Sequence, residues 1–114
     1  MITATNEIIN NLNKTTLLFL SAPWCGPCKR IKPHLKLLKL SYQGMDVDIV
    51  YINCDDNLDI AEQLKISSIP SHYIYHPGEQ LNPNNVLTES NINNLETFLT
   101  NNDIKCVKEE LQFN

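Results

Sequence analysis

The apolar positions of the chain change their period several times, and each change marks an element. Residues 15–20, TTLLFL, form an unbroken apolar run with β-branched and aromatic members, which suits a strand covered on both faces. The run stops at Ser21-Ala22-Pro23, where proline ends a hydrogen-bonded ladder. From Cys28 to Tyr42 the spacing reads as helical. Ile31, Leu35 and Leu38 share a face, Leu37 and Leu40 widen it, and Lys32, Lys36 and Lys39 lie elsewhere. Pro33 inside this stretch predicts a kink, because it lacks a backbone donor and crowds the preceding turn. Residues 47–52, VDIVYI, read as the next strand, and a short helix starting at Asn57 or Asp59 carries Ile60, Ala61 and Leu64. Residues 71–75 read as a third strand, closed by the turn signal Pro77-Gly78. A weaker strand is expected near Val86 and Leu87. A last helix over residues 89–101 places Ile92, Leu95, Phe98 and Leu99 at helical spacing. Upstream, Thr5 can cap a short helix bearing Ile8, Ile9 and Leu12, and residues 1–4 are compatible with a short leading strand.

This alternation, with a hairpin towards the end, predicts an α/β fold: a mixed sheet of four to five strands with helices on both faces. A length of 114 residues suits one domain, taken here as residues 1–102, with 103–114 a C-terminal extension, helical or mobile. A hydrophobic content of 42% against 19% charged residues favours order over disorder. Fifteen asparagines are a compositional bias and not a low-complexity tract. The net charge of −4 argues against a nucleic-acid binder. Five of the nine basic residues fall between Lys29 and Lys39, which reads as a solvated helix face. No run approaches the ~18–20 apolar residues of a membrane span, and no basic segment precedes a long apolar one at the start. The expectation is a cytoplasmic, monomeric protein without membrane association.

The chemistry is concentrated at Cys25 and Cys28. They follow a buried strand and open a helix, whose free N–H groups and positive end favour a thiolate at Cys25. Lys29 and Arg30 add positive charge nearby. Two thiols at this spacing can close into a disulfide and can exchange with another one. Zinc is the competing reading, but a structural site needs four ligands and no second pair is at hand. His72 and His76 have a nominal ligand spacing, yet on a strand they lie about 13 Å apart. A purely structural disulfide is disfavoured because closing so short a loop gains little.

The string Ala22-Pro23-Trp24-Cys25-Gly26-Pro27-Cys28-Lys29 resembles the active-site signature of the thioredoxin family, and the similarity extends over residues 5–101. Pro33 falls where that family has its helix-kinking proline, Ile69-Pro70 where it has a cis-proline bond, and Pro77-Gly78-Glu79 where it has a hairpin turn. The resemblance implies a thioredoxin fold and a protein-disulfide reductase that passes through a mixed disulfide. It implies Cys25 as the nucleophile and Cys28 as the resolving thiol. Trp24, Gly26, Pro27, Ile69 and Pro70 would accept the substrate, and Lys29 would modulate the site. No bound cofactor and no metal are implied; the partners would be disulfide-containing proteins and a thioredoxin reductase or equivalent donor. The alternatives are a binding or scaffold module with weak turnover, or a disulfide oxidase or isomerase.

The chain departs from the family pattern at Phe19, six residues before Cys25, where a buried acidic residue is usual, and at Tyr51, which replaces its lysine partner. Losing both together is physically consistent, since one buried charge without the other is costly. The expected consequence is slower and more pH-dependent resolution by Cys28. Ser67-Ser68, and a glycine-free stretch over residues 86–91, also differ from the family and point to a narrower choice of substrates. Cys54 is expected to be a buried small hydrophobe, Cys106 an exposed thiol open to modification, and His72 a packed or solvated strand residue.

Overall fold

The computed structural model describes residues 2–3 and 9–108. Its strands are β1 (Ile2–Thr3), β2 (Thr16–Ser21), β3 (Leu38–Tyr42), β4 (Met45–Asn53), β5 (Ser71–Tyr75) and β6 (Ile104–Lys108). Its helices are α1 (Gly26–Leu35), α2 (Leu58–Gln63) and α3 (Ile92–Asn101), with a 3-10 turn at Pro83–Asn85. The strands form one mixed sheet in the order β5-β2-β4-β3-β6, with β1 also paired to β4. β2 runs parallel to β4 and antiparallel to β5, so it is central, and all six of its residues are buried.

The run TTLLFL serves two cores. Leu17 and Phe19 join Cys25, Cys28, Ile31, Leu35, Leu95 and Leu99 on one side, beneath α1 and α3. Leu18 and Leu20 join Val50, Ile52, Ile60, Leu64 and Ile9 on the other, beneath α2 and the segment before β2. Successive strand residues point to opposite faces, so an unbroken apolar run is what a doubly covered strand requires. The result is the α/β architecture expected, with helices on both faces.

The stretch after the active-site helix differs from the sequence expectation. α1 ends at Leu35 instead of continuing to Tyr42, and Leu38–Tyr42 is the strand β3. β3 pairs antiparallel with the start of β4, Tyr42 opposite Met45, around the turn residues Gln43 (φ 50°) and Gly44 (φ 79°). Two consecutive positive φ angles make the tight turn whose twist suits a hairpin. The leucines fit either reading: Leu38 and Leu40 also alternate with Lys39 and Ser41, which is the strand period. Pro33 lies inside the ten-residue α1, three residues before its C-cap Lys36.

The extension after Asp103 was expected to be helical or mobile. Residues 104–108 are instead β6, antiparallel to β3 over its whole length, with Leu40 opposite Cys106. Ile104 is buried in the core beneath α3, and Cys106 is half-buried against it. The Lys108 ammonium pairs with Glu96 on α3. Ile104→Ala is therefore expected to cost about 2–4 kcal/mol in urea denaturation. A loss below about 0.5 kcal/mol, the level of an ordinary surface change, would mean that β6 does not dock in solution.

The other elements follow the sequence reading closely. α3 begins at Ile92, where the Asn91 side chain accepts from the Asn94 N–H and Asn94 answers to the Asn91 N–H, a reciprocal cap. Val86-Leu87 is reduced to a single bridge, in which Leu87 and His72 exchange backbone bonds of 2.8 and 2.9 Å. Ile2–Thr3 form the short strand β1, parallel to β4, and the helical turn at residues 9–10 leads into β2. Thr5 and Ile8, assigned to the first helix, lie outside the described residues, as do residues 109–114.

Candidate active site

Cys25 sits between the end of β2 and the first turn of α1, as the N-cap of that helix. Pro27 occupies the first turn, where a missing N–H costs nothing and a fixed φ helps start the helix. The Cys28 N–H points back and donates to Cys25 Sγ at 3.2 Å, so an otherwise orphan helix-end donor is spent on the sulfur. Cys25 and Cys28 are joined as a disulfide with Cα atoms 5.2 Å apart. Both are nearly sealed in the core beneath α1. A sulfur held at a helix N-terminus and touched by an N–H is placed to be stabilised as a thiolate when the bond opens.

Around this pair the chain presents an apolar rim. Trp24 is 68% exposed, and its indole N–H donates to Asp55 Oδ2 at 2.9 Å, which ties the ring to the loop after β4. Asp55 carries no signal in the sequence, because no motif marks a carboxylate that only orients a tryptophan. Pro27 is exposed, and Gly26 is half-exposed with the Arg30 guanidinium 3.7 Å from where a Cβ would project. Ile69 packs on the cluster that contains both cysteines, and the Ile69–Pro70 peptide bond is cis. The Pro70 carbonyl accepts from Ser90 N–H at 2.8 Å, which fixes the segment that precedes β5.

Behind the cysteines, one rung of the sheet carries three rings. Phe19 on β2 faces Tyr51 on β4 and His72 on β5. The Phe19 and His72 rings stack at 5.0 Å, and Phe19 meets the Tyr51 ring edge-on at 5.8 Å. Phe19 and His72 are both fully buried. His72 Nδ1 lies 2.7 Å from Ser90 Oγ, Nε2 has no partner, and burial lowers the imidazole pKa to about 3. His72 is thus a packed neutral residue. Lys29 is exposed beside Cys28.

Two free cysteines remain. Cys54, expected to be buried, is half-buried just after β4, its N–H bonded to the Ser21 carbonyl, and burial still pushes its thiol up. Cys106, expected to be exposed, is half-buried on β6 against the core, and burial raises its thiol too. Among the described residues no group of three or more His, Cys, Asp or Glu is placed to hold a metal ion, and no helix is long and apolar enough to cross a membrane.

A sequence model of the Thioredoxin family matches residues 2–101. The chain belongs to the thioredoxin family. A thioredoxin of Pyropia yezoensis is 40% identical over 75 residues, covering 66% of this chain and 68% of that one. Thioredoxin 1 of Nostoc sp. is 37% identical over 60 residues, covering 53% and 55%. Among solved structures, mitochondrial thioredoxin 3 of Saccharomyces cerevisiae in its oxidized form superposes with a TM-score of 0.67 at 26% identity, covering 89% of this chain and 94% of that one. Thioredoxin from Trypanosoma brucei brucei, at 23% identity and a TM-score of 0.69 over 89% and 88% of the two chains, shows the shared fold. As a member of this family with a closed Cys25–Cys28 pair, the protein is a thiol–disulfide oxidoreductase.

Proposed function

We propose that the protein works in the reducing direction, opening disulfides in other proteins with the Cys25–Cys28 dithiol. The observation that carries this reading is Cys25 at the N-cap of α1, with the Cys28 N–H donating to its sulfur. Cys25, as thiolate, attacks one sulfur of the substrate disulfide; an S–S bond forms, the substrate bond breaks, and the departing sulfur takes up a proton. Cys28 then loses its proton and attacks Cys25 Sγ. That closes the intramolecular disulfide and releases the second substrate sulfur, which is protonated in turn. Two electrons pass to the substrate, and a thioredoxin reductase or equivalent donor returns them. The cysteines themselves carry the electrons, so the cycle calls for no bound cofactor.

Trp24, Gly26, Pro27 and Ile69 form the surface on which a substrate segment would lie, with the buried Pro70 shaping the floor beneath it, and the exposure of Trp24 and Pro27 supports that role. Lys29 and Phe19 modulate Cys28, one by charge and the other by withholding an acid. A monomer in a reducing compartment such as the cytoplasm is the natural setting, since an oxidising one would keep the pair closed. The test is reduction of insulin disulfides with dithiothreitol as donor, together with the reduction potential measured against glutathione. Insulin reduction well above the rate with dithiothreitol alone, with a potential below that of the glutathione couple, is expected. Little activity would make the protein a binding module, and a strongly oxidising potential would make it an oxidase or isomerase.

A further inference from the structure

The second half of the cycle requires Cys28 to give up a proton, and Cys28 is only 2% exposed. Burial away from water raises the cost of a thiolate, so something must offset it. Cys28 forms one wall of a half-open cleft of about 280 Å³, whose other walls include Lys32 from α1 and Tyr51 from β4. Cys25 does not line this cleft. Cys28 and Lys32 are four residues apart on α1 and so share a face of the helix. The Lys32 ammonium lies 5.0 Å from the centre of the Tyr51 ring, within the reach of a cation–π contact. The ring is itself held edge-on by buried Phe19.

The charged and titratable groups around Cys28 are few. From α1 come Lys29 and Lys32 in the cleft and Arg30 beside Gly26; from β4 comes Tyr51. β2 contributes the Ser21 hydroxyl, β5 contributes His72 on the far side of Phe19, and Asp55 is engaged by Trp24. No carboxylate lines the cleft. The local field therefore favours an anion, and water in the cleft can receive the proton.

We propose that Lys32 is a positioning residue for resolution: held over the cleft by the Tyr51 ring, its ammonium stabilises the Cys28 thiolate that attacks the mixed disulfide. This rests on the reductase reading above. The proton of Cys28 passes to water in the cleft, the Cys28–Cys25 bond forms, and the bond from Cys25 to the substrate breaks. The electron pair leaves on the substrate sulfur, which is then protonated from solvent. Lys32 keeps its own proton throughout.

The test mixes the reduced full chain with a peptide disulfide, quenches with acid at successive times, and follows the mixed disulfide by mass spectrometry over a range of pH. In Lys32→Met its decay is expected to slow about threefold to tenfold near neutral pH, and its pH profile to move towards alkali, with a much smaller effect on its formation. Lys32→Arg is expected to retain most of the decay rate, and Tyr51→Leu to fall between wild type and Lys32→Met. Added salt should slow the wild type more than Lys32→Met, because it screens the charge. Unchanged decay in Lys32→Met at every pH overturns the proposal. So does equal slowing of formation and decay, which would put the effect on Cys25 or on the fold. A wild-type protein that forms no mixed disulfide would overturn the reductase reading and this proposal together; a wild type that cycles normally beside an unaffected Lys32→Met overturns the proposal alone.

Discussion

Replacing Cys25 by serine is expected to lower insulin reduction below about one-thousandth of the wild-type rate. Replacing Cys28 by serine is expected to leave the protein joined to its substrate. The asymmetry follows from the position of each sulfur. Cys25 is the N-cap and receives the Cys28 N–H, whereas Cys28 lies one turn further into α1. Without Cys28 the first attack still proceeds, but no thiol nearby can release the product. The remaining thiols are poor substitutes: burial raises both Cys54 and Cys106, so neither is much ionised near neutral pH. The Cys28→Ser adduct should be visible by mass spectrometry and should vanish on adding dithiothreitol. Normal turnover by Cys28→Ser would mean that another thiol resolves the intermediate.

Acid should unfold the protein through His72. Its imidazole is fully buried and stacked on Phe19, with Nε2 unpartnered, and burial lowers its pKa to about 3 from an unfolded value of 6.5. Between those values the unfolded chain binds a proton that the folded chain refuses, so stability rises with pH. The full contribution is present above 6.5 and is lost as pH falls through the window to about 3. The slope is about 1.4 kcal/mol per pH unit, and the whole window amounts to about 5 kcal/mol. That is comparable to the entire stability of many small domains. Urea midpoints measured from neutral pH downwards should show this slope in the wild type. His72→Gln, which does not titrate, should be less stable near neutral pH but distinctly flatter in acid. An identical slope in both proteins would remove His72 as the cause.

Much of this site was legible in the sequence because its chemistry is local. Trp24 to Lys29 is one contiguous string, and its place between a buried run and a helical period can be read from spacing alone. Phe19 was legible as a departure, but its partners were not. That it faces Tyr51 and His72 on one rung depends on the register of three strands, which no local pattern encodes. The cleft shared by Cys28, Lys32 and Tyr51 depends on the same register and on the helix lying across it. β3 is hidden in the sequence because Leu38 and Leu40 fit the helical and the strand period at once. The deciding signal was Gln43-Gly44, a two-residue turn without the asparagine or aspartate that usually announces a hairpin. β6 is hidden for a related reason: with its partner β3 reading as a helix, Ile104 and Cys106 have nothing visible to pair with.

The pairing of β6 with β3 also bears on synthesis. A ribosome delivers Leu38 and Leu40 long before Ile104 and Cys106, and among the described residues no earlier strand pairs with that edge. Until the later strand emerges, the nascent chain carries a half-built ribbon with apolar side chains and open hydrogen-bonding groups. Such an edge is open to pairing with other chains and is the kind of surface chaperones hold. Completion of the sheet thus waits for residues 104–108, although the redox pair itself is made early.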